Sequence, residues 1–169
     1  MNDNQDKYLP PSGFLRDLLR NDLPLSGNAV ADWRAAKLIS LTRDQHYANR
    51  DWALFLLQSS ELNTPKARSA LVAGLNDIYH EASLEALIGV AIRDKAIALP
   101  RIKMLLEGEI IDSMALEAAA IVADPSLLPT LEYIAGQLGA EEDDMFDNAL
   151  REALACCASG VPPEWRMLD

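Results

Sequence analysis

Apolar residues along this chain recur with the 3.6-residue period of helices rather than the two-residue alternation of strands. From Pro65 onward the helical pattern itself recurs about every 30 residues. The stretches TPKARSALVAGLND (64–77), RDKAIALPRIKMLLEGE (93–109) and DPSLLPTLEYIAGQL (124–138) each open on a polar cap and carry Leu or Ile at helical spacing. Thr64-Pro65 and Asp124-Pro125 set a capping side chain before a proline at the first helical position, and Asp94 serves the middle stretch. Each is followed by a second amphipathic stretch: YHEASLEALIGVAI (79–92), IIDSMALEAAAIVA (110–123) and MFDNALREALACCA (145–158). An earlier pair reads the same way, NAVADWRAAKLISLT (28–42) then YANRDWALFLLQSSEL (47–62). The pattern predicts helix pairs over 28–158, an extension over 1–27 and a tail over 159–169. In the extension GFLRDLLR (13–20) forms a helix that caps the first pair; in the tail Trp165, Met167 and Leu168 fold back over the last helix.

The run Asp124-Pro125-Ser126-Leu127-Leu128-Pro129-Thr130-Leu131 combines an Asp-Pro entry with a proline inside the first helix, and Pro100 stands in the matching part of the preceding pair. With the Ala-rich second helices, these residues make the chain resemble HEAT-like repeats over roughly residues 28 to 158. The resemblance implies an all-α fold, a right-handed α-α superhelix (solenoid) of about four helix pairs. It implies far less about activity. Some proteins with such repeats resemble bilin lyases or alkylpurine DNA glycosylases, so the scaffold is able to carry chemistry; for the glycosylase reading this chain lacks a basic DNA-binding face.

Stacking has a physical reason. Ile111, Ala115, Ala118 and Val122 share a helix face that a lone pair leaves open and a neighbouring pair covers. Trp33 and Trp52, at helical spacing, are expected in the core.

Composition narrows the class. The chain has 169 residues and 18.5 kDa, enough for one core, and only 6% aromatic residues within 50% hydrophobic ones, which disfavours an all-β fold. Its net charge of -11 opposes phosphate-backbone binding. Residues 125–169 hold nine acids and two bases, so the negative charge is concentrated towards that end. Neither a basic-then-apolar leader nor a long uncharged apolar run is evident, and the two cysteines, Cys156 and Cys157, are adjacent in a helix where a bridge is strained. A soluble protein of the cytoplasm, without membrane contact, is expected.

Aligned second helices place Asn49, Glu81, Ser113 and Asn148 in one row, then Ala53, Glu85, Glu117 and Glu152, then Leu56, Ile88, Ala120 and Ala155. Glu85, Glu117 and Glu152 form an acidic ridge beside an apolar strip on the concave face, which suits a basic or amphipathic protein partner. Leu56 and Ile88 are the candidate apolar contacts, and Asp143, Asp144 and Asp147 extend the negative field. A calcium loop needs a central glycine, and there is none within 141–152. His46 and His80 lie at turns beside Tyr47 and Tyr79, which read as repeated anchors joined by Ile111 in the next pair. No nucleophile, metal set or nucleotide loop accompanies them: there is no G-x-S-x-G, H-E-x-x-H, P-loop or G-x-G-x-x-G. The expectation is a non-catalytic interaction module without cofactor or metal. Its alternative is a small-molecule binder or lyase-like enzyme using the groove as a pocket, and self-association through an open end is a third possibility.

Overall fold

The computed structural model describes residues 8–21, 23–137 and 144–164, Asp144 by its backbone alone. Among them there are helices and no strand: α1 (Gly13–Arg20), α2 (Ala29–Leu41), α3 (Tyr47–Gln58), α4 (Pro65–Gly74), α5 (His80–Arg93), α6 (Lys95–Leu106), α7 (Ser113–Val122), α8 (Leu128–Gln137) and α9 (Asp144–Ser159). The protein is all-α. A 3-10 turn, Pro125–Leu127, leads into α8.

The helix starts follow from local chemistry. Thr64 Oγ1 accepts the Ala67 N–H at 3.2 Å ahead of Pro65, Asp94 Oδ1 accepts the Ile97 N–H at 3.2 Å, and Asp124 Oδ1 accepts the Ser126 N–H at 2.8 Å. These side chains satisfy N–H groups that the first helical turn leaves without partners. Asn28 Oδ1 receives two, from Val30 and Ala31, both at 3.0 Å. Several boundaries differ from the sequence expectation. Residue 93 ends α5 rather than opening α6, and α7 begins at Ser113 because Asp112 caps Met114, leaving Ile110 and Ile111 in the preceding turn. Pro129 falls in the first turn of α8 instead of mid-helix, while Pro100 does lie inside α6.

Packing is serial. α3 lies on α5, α5 on α7 and α7 on α9, forming an inner layer; α2, α4, α6 and α8 each pack on their own second helix and meet one another far less. In α7 every residue from Ala115 to Val122 is buried except Glu117. Gly74 and Gly89 allow the closest approaches: a Cβ on Gly89 would lie 2.9 Å from the Gln58 Cβ and 2.5 Å from a Leu71 methyl. At the first end α1 packs on α3, with Leu15 fully buried and the Ser12 N–H donating to Asn49 Oδ1 at 2.9 Å.

The tryptophan expectation needs correction. Trp33 is 60% exposed on α2, its ring set at a near right angle to that of Phe14 with 5.7 Å between centroids. Trp52 is half-buried against the core. Trp165, Met167 and Leu168 lie outside the described residues.

Candidate functional site

Charge is sorted between the two layers. On the outer side α2, α4 and α6 carry Arg34, Lys37, Lys66, Arg68, Lys95, Arg101 and Lys103 against the single acid Asp32, while α8 carries one acid, Glu132, and no base. On the inner side α3, α5, α7 and α9 carry Asp51, Glu81, Glu85, Glu117, Asp144, Asp147 and Glu152 against Arg50, Arg93 and Arg151. All three arginines are engaged within the fold, Arg151 with Asn148 Oδ1 at 2.9 Å on its own helix. Arg50 grips Asp77 with Nε–Oδ2 at 2.6 Å and Nη2–Oδ1 at 2.8 Å. Arg93 donates to the carbonyls of Leu57, Gln58, Ser60, Leu62 and Gly89 at 2.6–3.3 Å, where the end of α3 presents its negative pole.

Glu85, Glu117 and Glu152 are all half-buried, and Glu85 Oε2 accepts from Gln58 Nε2 at 3.3 Å. Glu117 and Glu152 do come together: with Ser113, Asn148, Met145 and Ala149 they line a shallow groove of about 400 Å³ between α7 and α9. Both polar rows read from the sequence thus meet in one groove at this end. At the other end they do not, because Asn49 is buried and holds Ser12 and Asp44.

The apolar strip is overturned. Ile88 is 1% exposed and Ala120 fully buried, both inside the core, whereas Ala155 is on the surface. Leu56 is half-buried and, with Leu18, Leu23 and Leu25, lines a cavity of about 460 Å³ under the N-terminal segment. The three glutamates share a register, while three residues further on, about 60° short of a full turn, Ile88 and Ala120 point into the core. Asp147 is half-buried in α9; Asp143 lies outside the described residues, as does the Asp144 side chain.

A second constellation runs along the turns that precede α3, α5 and α7. The Tyr47 and Tyr79 rings lie 4.6 Å apart, and Tyr8 stacks on Tyr47 at 6.3 Å and on Trp52 at 6.1 Å. Tyr8 bonds to Tyr79 and Asp51, and its phenol is held above the ordinary range, first by burial and then by those two neighbours. Asp51 is also raised, by burial first and by the charges of Glu81 and Asp77, against the lowering hydrogen bond from Tyr8. Asp77 is lowered by Arg50 and Asp44 by the His46 N–H. His46 Nδ1 accepts the Ala48 N–H at 3.2 Å, and His80 Nε2 stands 3.8 Å from Asp112 Oδ2. Ile111, like Tyr79, is half-buried and packs against the core. Sequence reasoning found Tyr47 and Tyr79 but missed Tyr8, Asp51 and the exposed Ile78 and Ile110. The signal for the isoleucines was present, since Ile78 and Ile110 stand at the same 32-residue offset as Tyr79 and Ile111.

No group of three His, Cys, Asp or Glu suited to a metal ion occurs among the described residues, and none of their helices is long and apolar enough to cross a membrane. Cys157 is fully buried with its Sγ 3.5 Å from the Ala119 carbonyl, and burial pushes its thiol up to about 11.

No family model matches the chain. Over 96 residues it is 31% identical to protein YibA of Escherichia coli K12, and the same holds for YibA of Escherichia coli O157:H7. The match takes in 56% of this chain and only 34% of the relative, so the chain spans about a third of the length of the curated relatives it matches. The crystal structure of Escherichia coli YibA superposes with a TM-score of 0.59 at 20% identity, over 83% of this chain and 54% of that one. What the two structures share at that identity is an all-helical fold.

Proposed function

We propose that the chain is a non-catalytic interaction module, a short HEAT-like solenoid whose acidic inner layer receives a basic or amphipathic protein partner. The observation that carries this reading is the sorting of charge, acids on α3, α5, α7 and α9 and bases on α2, α4 and α6. Tight packing of successive inner helices beside sparse contact between outer ones bends such a stack towards its inner side and makes that side concave. Charge gathered on a concave face focuses its field and steers an oppositely charged partner. Glu85, Glu117 and Glu152 supply the ridge, and the shallow groove at Glu117 and Glu152 is where two of them come together. A reducing cytoplasm suits the two unbridged, buried cysteines.

The test is capture from native lysate by the wild type and by a Glu85→Gln, Glu117→Gln, Glu152→Gln variant, washed at low and high salt. Captured proteins should be basic, and should be lost both with salt and with the substitutions. Retention of the same proteins by the variant removes the ridge as the contact surface.

A further inference from the structure

Two large aliphatic side chains stand almost wholly in solvent: Ile78 at 97% exposure and Ile110 at 90%. Single exposed apolar residues are ordinary, but these two occupy equivalent turns 32 residues apart, so the structure presents the same feature twice in register. The turns lie side by side. Tyr47 touches Tyr79 across the first two, Arg50 binds Asp77 between the same two, and His80 approaches Asp112 across the second and third. Along one edge of the molecule runs an apolar strip of Tyr47, at 45% exposure, then Tyr79 and Ile78, then Ile110.

The edge is also acidic. Residues 76–81 and 107–112 contain Asp77, Glu81, Glu107, Glu109 and Asp112 and no lysine or arginine. Asp51 behind the strip is crowded by Glu81 and Asp77, an arrangement that a cation placed between them relieves. Of the two arginines in these turns and helix starts among the described residues, Arg50 is already bound to Asp77, and Arg43 lies at the far end of the first turn, next to the end of α2.

Spacing selects the form of the occupant. Helices in contact lie about 8 to 10 Å apart, which sets the pitch of successive turns. In an α-helix, residues i and i+7 share a face about 10.5 Å apart. We propose that this turn edge docks a basic amphipathic helix of a protein partner, with apolar residues at seven-residue spacing seated on Tyr47/Tyr79, Ile78 and Ile110 and lysines or arginines meeting the flanking carboxylates. The proposal rests on the reading of the chain as a receptor for a basic protein and adds a second contact surface, apart from the groove at Glu117 and Glu152, together with the shape of what binds there. The negative edge opposes an anionic membrane or a nucleic acid, and the net charge of -11 opposes a second copy.

The probe is a fluorescent Leu/Lys peptide of about 18 residues, roughly five helical turns, with its leucines on one face. A peptide of identical composition with the leucines scattered around the helix serves as control. An Ile78→Ser, Ile110→Ser double variant alters only exposed positions, and circular dichroism checks its fold. Anisotropy should show at least a tenfold loss of affinity in this variant, less than a threefold change in Glu117→Gln, Glu152→Gln, and weaker binding of the control peptide throughout. Equal binding of the two peptides, or undiminished binding by the isoleucine variant, overturns the strip. Loss only in the glutamate variant overturns the strip while leaving the acidic-ridge reading in place; no binding by the wild type overturns both. Ile78- and Ile110-dependent adsorption to phosphatidylcholine/phosphatidylglycerol vesicles, or concentration-dependent dimerisation abolished by the same substitutions, overturns the choice of occupant.

Discussion

Gly89 illustrates how much one residue decides in this fold. Its missing side chain lets α5 approach the Gln58 Cβ and the Leu71 methyls more closely than any Cβ permits. Gly89→Ala gains helix propensity, yet the Gln58 Cβ belongs to a rigid backbone and the helices must separate. We expect a net loss of about 1 to 3 kcal/mol, measured as a lower urea midpoint with an unchanged slope. The Arg50–Asp77 pair yields a pH prediction. Asp77 sits below its ordinary range because Arg50 holds its carboxylate, so the pair's contribution is fully present above the unfolded-state value near pH 4 and disappears as pH falls through the lower folded value. Asp77→Asn should therefore cost on the order of 3 kcal/mol at neutral pH, and its deficit should shrink in acid. A deficit that stays constant down to the acid limb contradicts the charged pair. Residues like these were invisible in the sequence, where neither the partner 27 positions away nor the close approach is encoded locally. Ile88 failed for a related reason: it belongs to the same helix as Glu85, and only packing on both sides of α5 decides that it faces inward.

Among elements, the helix starts were legible and the joints between helices were not. Thr64, Asp94 and Asp124 act as the caps their spacing predicts, since capping is chemistry between residues two or three positions apart. By contrast, Arg93 reads as a polar residue at a helix end, yet it ties α5 to the last turn of α3 and the following loop through four carbonyl bonds, with a fifth to Gly89 of its own helix. Burial lowers its guanidinium pKa, and among the described residues no carboxylate is bonded to it, so the carbonyl ends of α3 stabilise the charge. Arg93→Met keeps much of the apolar stem and removes every one of those donors. The expected result is faster amide exchange at 57–62 together with lower global stability; uniform slow exchange there shows that the loop holds itself. The Ala123 backbone, left-handed at φ 51°, ends α7 without a glycine, and no sequence signal marks it.

At the scale of the whole molecule, the question is whether the helix pairs share one core or are stacked units held by their neighbours. α5 contacts α3 and α7, and α7 contacts α9, but among the described residues α3 and α9 are separated by two layers of helix. In such an arrangement stability is the sum of each pair and its adjacent interfaces, and damage spreads by nearest neighbours. Ala118 offers the cleanest lesion because it is fully buried where α7 meets its neighbours. Ala118→Glu forces a larger, charged side chain into that space, at about 1 to 3 kcal/mol or more for overpacking alone and further for the buried carboxylate. Read by hydrogen exchange, protection should fall most in α7 and α9, less in α5, and least in α2 and α3. If protection falls equally from α2 to α9, the chain unfolds as one body and the stacked reading fails. That reading also bears on the turn edge, because a row of exposed Tyr and Ile side chains keeps its pitch only while successive pairs stay in register. In the same Ala118→Glu protein, the strip should therefore lose Ile110 before it loses Tyr47 and Tyr79, and the Leu/Lys peptide should bind more weakly while the Tyr47–Tyr79 contact persists.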